Sequence, residues 1–297
     1  MDLVPSAVIF SPAKLNLLLA ITGRRADGFH DLVSVVAPVK FGDTLKAETT
    51  SDGRFALTCD DPAVPCDETN LILRAAKLFK EAAGGPECVR FELEKRIPMG
   101  AGLGGGSSNA VAALLALNQL VARPLGRETL LDLAVKLGSD CALFLEGAPV
   151  VMRGRGERVA RLAASGVMRL SGRRVLIFKP SFSIATAWAY GRMVTGAPEG
   201  YLAPTDAEAR LSQWLDGNEP AEQLLYNNME QPAFAKYVAL PTMLERLRNE
   251  FGLAVAMSGS GSACFALLRS DTPIDAVLSC IREGWGAHTF AVDTEIV

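Results

Sequence analysis

Chemistry in this chain starts from a run of small residues: Pro98, Met99, Gly100, Ala101, Gly102, Leu103, Gly104, Gly105, Gly106, Ser107 and Ser108. Five of the seven positions from Gly100 to Gly106 are glycine. Glycine reaches positive φ and lets a ligand approach without a Cβ in the way. Successive amides of such a loop can point inward together as an anion nest. The run Ala110–Leu117 that follows is made of strong helix formers. A helix starting there adds free N–H groups and the positive end of its dipole, so loop and helix together suit phosphate. The competing explanation is a surface turn capped by Ser107 or Ser108. A turn needs one or two glycines, and each further one lowers stability through the unfolded state. The phosphate reading is therefore preferred. Gly100, Gly102 and Gly105 formally match a dinucleotide fingerprint, but Phe91–Lys95 alternates, Pro98 intervenes, and the next acid, Glu128, sits at a helix start. No Gly-Lys-Ser/Thr ending is present, which excludes a P-loop.

Other polar residues stand where chemistry is possible. Lys14 and Asn16 lie two apart on an apolar strand and share one face, opposite Leu15 and Leu17. By pattern alone that face is either a solvent-facing edge or a site. Phe29 and His30 close a glycine-punctuated polar loop, where a histidine is either incidental surface or a ligand contact. Asp140 follows Gly138-Ser139 and reads equally as the N-cap of a short helix or as a working carboxylate. Gly259, Ser260 and Gly261 form a tight turn between two apolar strands.

The Pro98–Ser108 loop, the Pro-Ala-Lys-Leu-Asn-Leu stretch around Lys14, and the Ser-Gly-Ser-Gly-Ser turn around Ser260 resemble the three motifs of the GHMP kinases, in order and across nearly the whole chain. The resemblance implies an α+β GHMP kinase fold with a ribosomal-protein-S5-domain-2-like N-terminal domain and a ferredoxin-like C-terminal domain, with the active site between them. It implies phosphoryl transfer from ATP, accompanied by Mg²⁺, to the hydroxyl of a small-molecule substrate. Lys14 and Asp140 then match the catalytic pair, the glycine loop binds ATP, and Gly259, Ser260 and Gly261 abut the phosphates. Ser107 and Ser108 are the nearest candidates for contact with the metal, and no protein-held metal site is expected. The string Arg-Ala-Asp-Gly-Phe-His-Asp-Leu resembles the branch of the family whose alcohol carries a cytidine diphosphate. There Asn16, Phe29, His30, Thr186 and Tyr190 match substrate-binding positions. This chain has Phe29 where many relatives have tyrosine, and stacking needs only the ring.

With 297 residues the chain suits two domains. The expected division is 1–165 and 166–297. A net charge of −3 offers no general attraction to nucleic acid. The cluster Arg153, Arg155, Arg158 and Arg161 surrounds a Gly-Arg-Gly turn and reads as a solvated hairpin. Six scattered cysteines and two histidines, with no Cys-x-x-Cys pair, argue against zinc and for free thiols in a reducing compartment. No secretory signal and no apolar run of about 20 residues is visible. A soluble cytoplasmic protein is expected, monomer or homodimer, with no membrane partner.

The elements positioning these residues follow from periodicity. Strands are expected at 7–10 and 13–21, separated by a turn at Ser11-Pro12, and at 33–39 and 44–50, joined through Phe41-Gly-Asp. Strand 89–93 leads into the glycine loop. Helices are expected at 70–83, 128–137, 206–215, 224–229 and 241–250, with a hairpin at 150–162 and a loosened boundary at 165–172. Residues 254–268 read as strand, glycine turn, strand. Two rivals remain: another GHMP kinase, of the homoserine or mevalonate type, and a non-catalytic nucleic-acid binder, which the acidic balance disfavours.

Overall fold

The structure is a computed structural model that describes residues 5–297. The chain forms two compact units, each assembled from separated segments. The first takes the N-terminal residues to Ala13, Phe41–Pro98 and Gly104–Gly147. The second takes Lys14–Lys40, Met99–Leu103 and Ala148–Val297.

Two long neighbouring strands, β1 (Ser6–Arg24) and β2 (His30–Thr49), contribute to both units. Each is continuous where the sequence pattern suggests a break. Pro12 is tolerated because β1 has a second strand partner only at Leu18 and Leu19, so the missing N–H at residue 12 costs no ladder bond on that side. Gly42 does not mark a turn in β2. A Cβ there would lie 2.3 Å from the Ser11 carbonyl oxygen, so glycine serves close backbone approach.

In the first unit, β3 (Ala56–Cys59), helix α1 (Leu71–Ala83) and β4 (Val89–Glu94) follow. β4 buries Val89, Phe91 and Leu93 and exposes the residues between them, and it pairs antiparallel with β2 and parallel with β3. The Asn70 side chain accepts from the Ile72 N–H at the start of α1, and Gly84 at φ +72° ends it. The buried face of α1, Ile72, Ala75, Ala76 and Phe79, packs on α2 (Gly105–Leu120), whose Ala110, Ala113, Leu114 and Leu117 are fully buried. Helix α3 (Arg127–Leu137) completes the layer.

One buried carboxylate ties β2 to the entry of the glycine loop. Asp43, fully buried, accepts from Lys95 Nζ at 2.6 Å, from the backbone N–H groups of Arg96 and Ile97 at 2.7 Å each, and from Asn109 Nδ2 at 2.8 Å. Asn109 also donates to Ser11 Oγ at 2.8 Å. Strand β2, strand β1, the Lys95–Ile97 segment and α2 are thereby fixed around a single charge.

In the second unit, β5 (Val150–Gly154) and β6 (Arg158–Arg161) form the expected hairpin beside β2. The stretch expected to loosen is instead helix α4 (Ala164–Leu170), which buries Leu170. Then come β7 (Arg174–Lys179), α5 (Thr186–Thr195), α6 (Pro204–Asp216), β8 (Tyr226–Asn227), α7 (Glu230–Lys236), α8 (Ala239–Phe251), β9 (Ala254–Met257), β10 (Cys264–Leu267), α9 (Ile274–Trp285) and β11 (Phe290–Glu295). The helix expected at 224–229 does not form. Asn227 and Asn228 spend their side chains on other segments' backbone, with Asn228 pairing Ile21 in both directions at 2.9 Å, and β8 joins β1 in parallel. Strands β7, β9, β10 and β11 make an antiparallel sheet in the order β11-β7-β10-β9. With helices between β7 and β9 and α9 between β10 and β11, this is the β-α-β-β-α-β pattern of a ferredoxin-like fold. Among the described residues all six cysteines are free, and no helix is long and apolar enough to cross a membrane.

Removing the Asp43 carboxylate strands the Lys95 ammonium and two backbone donors in the interior. Asp43→Ala is expected to lower stability by about 3–5 kcal/mol, as breaking a buried pair does, measured as ΔG of unfolding in urea. A change within experimental error would show that Asp43 is not the tie described.

Candidate active site

The glycine loop crosses the division between the two units, so its halves have different partners. Gly100, Gly102 and Gly104 take φ of +60°, +76° and +74°, conformations that side chains rarely adopt.

The front half, Met99–Leu103, belongs to the second unit. The Gly102 carbonyl accepts from Lys14 Nζ at 2.6 Å and from Ser258 Oγ at 3.2 Å. A Cβ on Gly102 would sit 2.3 Å from the Ser258 carbonyl oxygen, so the backbones of loop and turn approach too closely for a side chain at this position. The Leu103 carbonyl accepts from the Lys14 N–H at 2.9 Å, and the Ala101 carbonyl from the Ala263 N–H at 3.0 Å. Lys14, only 4% exposed, also donates to Asn16 Oδ1 at 2.5 Å. Asn16 Nδ2 in turn donates to Ser34 Oγ at 3.0 Å. Lys14 and Asn16 therefore face a buried polar site rather than a solvent-facing edge.

The turn after β9 closes on the same groups. A Cβ on Gly259 would lie 3.2 Å from Lys14 Nζ and 3.3 Å from Asn16 Oδ1, and one on Gly261 would lie 2.6 Å from Met257 Sδ. Ser260 Oγ and Thr186 Oγ1 are 3.1 Å apart, which brings the start of α5 to this turn. Asn227 completes it: Nδ2 donates to the Met257 and Gly259 carbonyls at 2.8 and 2.9 Å, and Oδ1 accepts from the Met229 N–H at 3.0 Å. The sequence reading missed Asn227, because an asparagine bridging two distant carbonyls leaves no local pattern.

The rear half belongs to the first unit. Helix α2 begins at Gly105 with Gly104 as its cap, so Ser107 and Ser108 lie inside the first turn rather than capping it. Ser108 N–H is the first to bond back, to the Gly104 carbonyl at 2.9 Å, which leaves the N–H groups of Gly105, Gly106 and Ser107 outside the helical ladder. Ser108 is buried and accepts from Ser11 Oγ at 2.8 Å, whereas Ser107 is half-buried. Pro98, also half-buried, closes the segment that Asp43 holds. Asp140 stands in this unit beside Cys141. The short helix after it, Ala142–Leu145, is capped by Cys141 with no side-chain hydrogen bond, so the Asp140 carboxylate is not used as its cap. Burial pushes the Cys141 thiol up to about 11, against a smaller lowering from its hydrogen bond with Ser107. Burial thus disfavours the reactive thiolate, and the bond to Ser107 brings Cys141 to the first turn of α2.

In the second unit Phe29 and His30 diverge. Phe29 is 49% exposed, with the Arg155 guanidinium 4.8 Å above its ring, so the arginine hairpin is more than a solvated turn. His30 is 8% exposed, its ring centroid 4.8 Å from that of Tyr190 and 5.9 Å from that of Tyr201. Burial, and secondarily Arg24, lower the His30 pKa, which keeps the ring neutral at pH 7. Tyr190 thus meets His30.

Sequence comparison matches residues 70–148 to the GHMP kinases N terminal domain and residues 215–287 to the GHMP kinases C terminal model. The 4-diphosphocytidyl-2-C-methyl-D-erythritol kinase of Prochlorococcus marinus (strain MIT 9313) is 38% identical over 290 residues, 94% of this chain and 89% of that protein. The protein of the same name from Paraburkholderia xenovorans (strain LB400) is 39% identical over 281 residues, 95% of this chain and 92% of its own. A crystal structure of 4-(cytidine 5'-diphospho)-2C-methyl-D-erythritol kinase superposes with a TM-score of 0.75 at 38% identity, covering 97% of this chain and 99% of the other. The Methanococcus jannaschii mevalonate kinase superposes equally, TM-score 0.75, at 12% identity over 99% of both chains, and so shares the fold.

The contact between Gly102 and Ser258 makes a specific demand. Gly102→Ala is expected to cost about 1–3 kcal/mol in backbone strain alone, read as a lowered Tm. Gly102→Asn tolerates the positive φ but keeps the clash with the Ser258 carbonyl. It should therefore rescue nothing, and full rescue would refute the close approach.

Proposed function

The chain belongs to the GHMP kinases, and from that premise we propose that it transfers the γ-phosphoryl group of ATP to the 2-hydroxyl of 4-diphosphocytidyl-2-C-methyl-D-erythritol, a step of the non-mevalonate route to isoprenoid precursors. The observation that carries this is the buried Lys14 ammonium held against the Gly102 carbonyl of the glycine loop, together with the relatives named for this activity.

Phosphoryl transfer depends mainly on positioning and charge stabilisation, since the phosphoryl group passes through a loose transition state. Asp140 accepts the proton of the 2-hydroxyl as its oxygen bonds to the γ-phosphorus, and ADP leaves with the electrons of the broken P–O bond. Lys14 orients the acceptor and stabilises developing negative charge. The loop from Pro98 to Ser108 holds the triphosphate, through the free N–H groups at the start of α2 and the cradle that glycine leaves open. Gly259, Ser260 and Gly261 lie next to the phosphates.

Mg²⁺ bound with the nucleotide would neutralise its phosphate charge. On this reading the loop hydroxyls of Ser107 and Ser108 are the protein groups nearest that metal. Of the two loop hydroxyls, Ser107 fits that role, because Ser108 is buried against Ser11.

Cytosine has a flat apolar face and a hydrogen-bonding edge. Phe29, backed by Arg155, offers the stacking ring, and His30 with Tyr190 reads the edge. Asn16 and Thr186 border the alcohol. The matched segments are compatible with a division into 1–165 and 166–297, since the boundary then falls between residues 148 and 215.

Asp140→Asn is expected to lower kcat by a factor on the order of 10² or more while ATP affinity, measured by calorimetry, stays close to that of the parent. Near-normal turnover would remove Asp140 from the reaction. Phe29→Ala is expected to weaken the cytidine substrate by about 1–3 kcal/mol, by analogy with base–aromatic stacking, with the KM for ATP unchanged. An unchanged KM for the cytidine substrate would put its base elsewhere.

A further inference from the structure

His30 has a partner that the sequence motifs do not include. Its Nε2 lies 3.1 Å from the hydroxyl of Tyr201, while Nδ1 has no hydrogen-bond partner among the described residues. Tyr201 is not a loosely hung surface residue. Its own N–H donates to the Pro198 carbonyl at 3.0 Å. On either side of it, the Gly200 carbonyl accepts from Asn228 Nδ2 at 3.0 Å and the Leu202 N–H donates to the Ile21 carbonyl at 3.1 Å. The hydroxyl is thus delivered to the imidazole by a segment pinned to strand β1. Tyr190 lies against the same imidazole, which limits its rotation.

A neutral imidazole carries one proton, and the partner of one nitrogen decides which role the other plays. If Nε2 holds the proton and donates it to the Tyr201 oxygen, Nδ1 is left as an acceptor. If the Tyr201 hydroxyl donates to Nε2, Nδ1 becomes a donor. Cytosine and uracil differ at position 4, where the first presents an amine donor and the second a carbonyl acceptor. An acceptor at Nδ1 therefore favours cytosine, and a donor there does not.

We propose that Tyr201 is a positioning residue that keeps the His30 proton on Nε2, so that Nδ1 accepts from the 4-amino group of the cytosine. The inference rests on the cytidine-linked substrate proposed above and deepens it. Cytosine is chosen over uracil by a tautomer set from behind, outside the groups that touch the base. Burial of the ring supports this, since it disfavours the doubly protonated imidazolium, which would present a donor at both nitrogens.

The chain has only two histidines, His30 and His288, which makes the tautomer directly measurable. Long-range ¹H–¹⁵N NMR on ¹⁵N-histidine-labelled protein, with His288→Gln used to assign the signals, should show His30 protonated at Nε2 and bare at Nδ1. Tyr201→Phe keeps the ring and removes the hydroxyl. In that variant the His30 signals should move toward a mixture of tautomers. The ratio of kcat/KM for the cytidine-linked substrate to that for its uridine-linked analogue should fall roughly tenfold, the worth of one hydrogen bond. The change should lie in KM for the base-bearing substrate, with the KM for ATP unaltered. His30→Gln, whose amide can present either a donor or an acceptor, should lose the same discrimination. A wild-type His30 protonated on Nδ1, or a Tyr201→Phe enzyme with unchanged discrimination, would overturn the proposal. Absence of turnover with both substrates would instead refute the cytidine reading and the base contact that depends on it, and the NMR spectrum would still decide the tautomer.

Discussion

A buried ammonium is costly unless its donors are used, and that constraint organises the second unit around Lys14. Its Nζ meets the Gly102 carbonyl at 2.6 Å and the Asn16 amide oxygen at 2.5 Å. The glycine loop must bring a carbonyl to it, so Gly102 takes a positive φ and has no room for a Cβ. The turn at Gly259 passes close to the same ammonium, where a Cβ would sit 3.2 Å from Nζ and crowd it. Asn227 then fixes that turn by its carbonyls. Three glycine-bearing or polar stretches that are far apart in sequence are thus answers to one electrostatic requirement.

The first unit meets a parallel requirement with the opposite sign. Asp43 is fully buried, and four donors converge on it, among them the N–H groups of the segment that enters the glycine loop. Lys14 holds the front half of the loop and Asp43 the segment that enters its rear half. A loop whose two halves are anchored separately keeps its backbone amides pre-oriented, which is what a phosphate site needs.

Residues whose role depends on local backbone chemistry were legible in the sequence. Glycine at Gly100, Gly102 and Gly104, the extent of α1 and its stop at Gly84, the alternation of β4 and the hairpin at Gly154 follow from short-range rules, and the structure agrees with them. What escaped was set by distant partners. Ser11-Pro12 and Phe41-Gly-Asp read as turns, yet both strands run straight on, because Gly42 is a point of strand contact and Pro12 lies where the ladder is one-sided. Asn227 and Asn228 sit in a helix-like window, and their side chains override it by bonding to backbone far away. The roles of Asp43 and Lys95 were invisible for the same reason: a buried pair 52 residues apart has no local signature. Lys14 and Asn16 shared a face by spacing alone, but that the face is buried required the fold.

Family membership fixes the phosphoryl-transfer chemistry in outline, while the choice of alcohol is what we propose for the side chains around Phe29, His30, Tyr190 and Tyr201. The most direct measurement is kcat/KM with ATP across a panel of acceptors, 4-diphosphocytidyl-2-C-methyl-D-erythritol, mevalonate and homoserine, with the phosphorylated position read by ³¹P NMR. The account predicts phosphorylation of the cytidine-linked alcohol at its 2-hydroxyl, with the other two acceptors slower by orders of magnitude. Comparable or faster turnover of mevalonate or homoserine would contradict it.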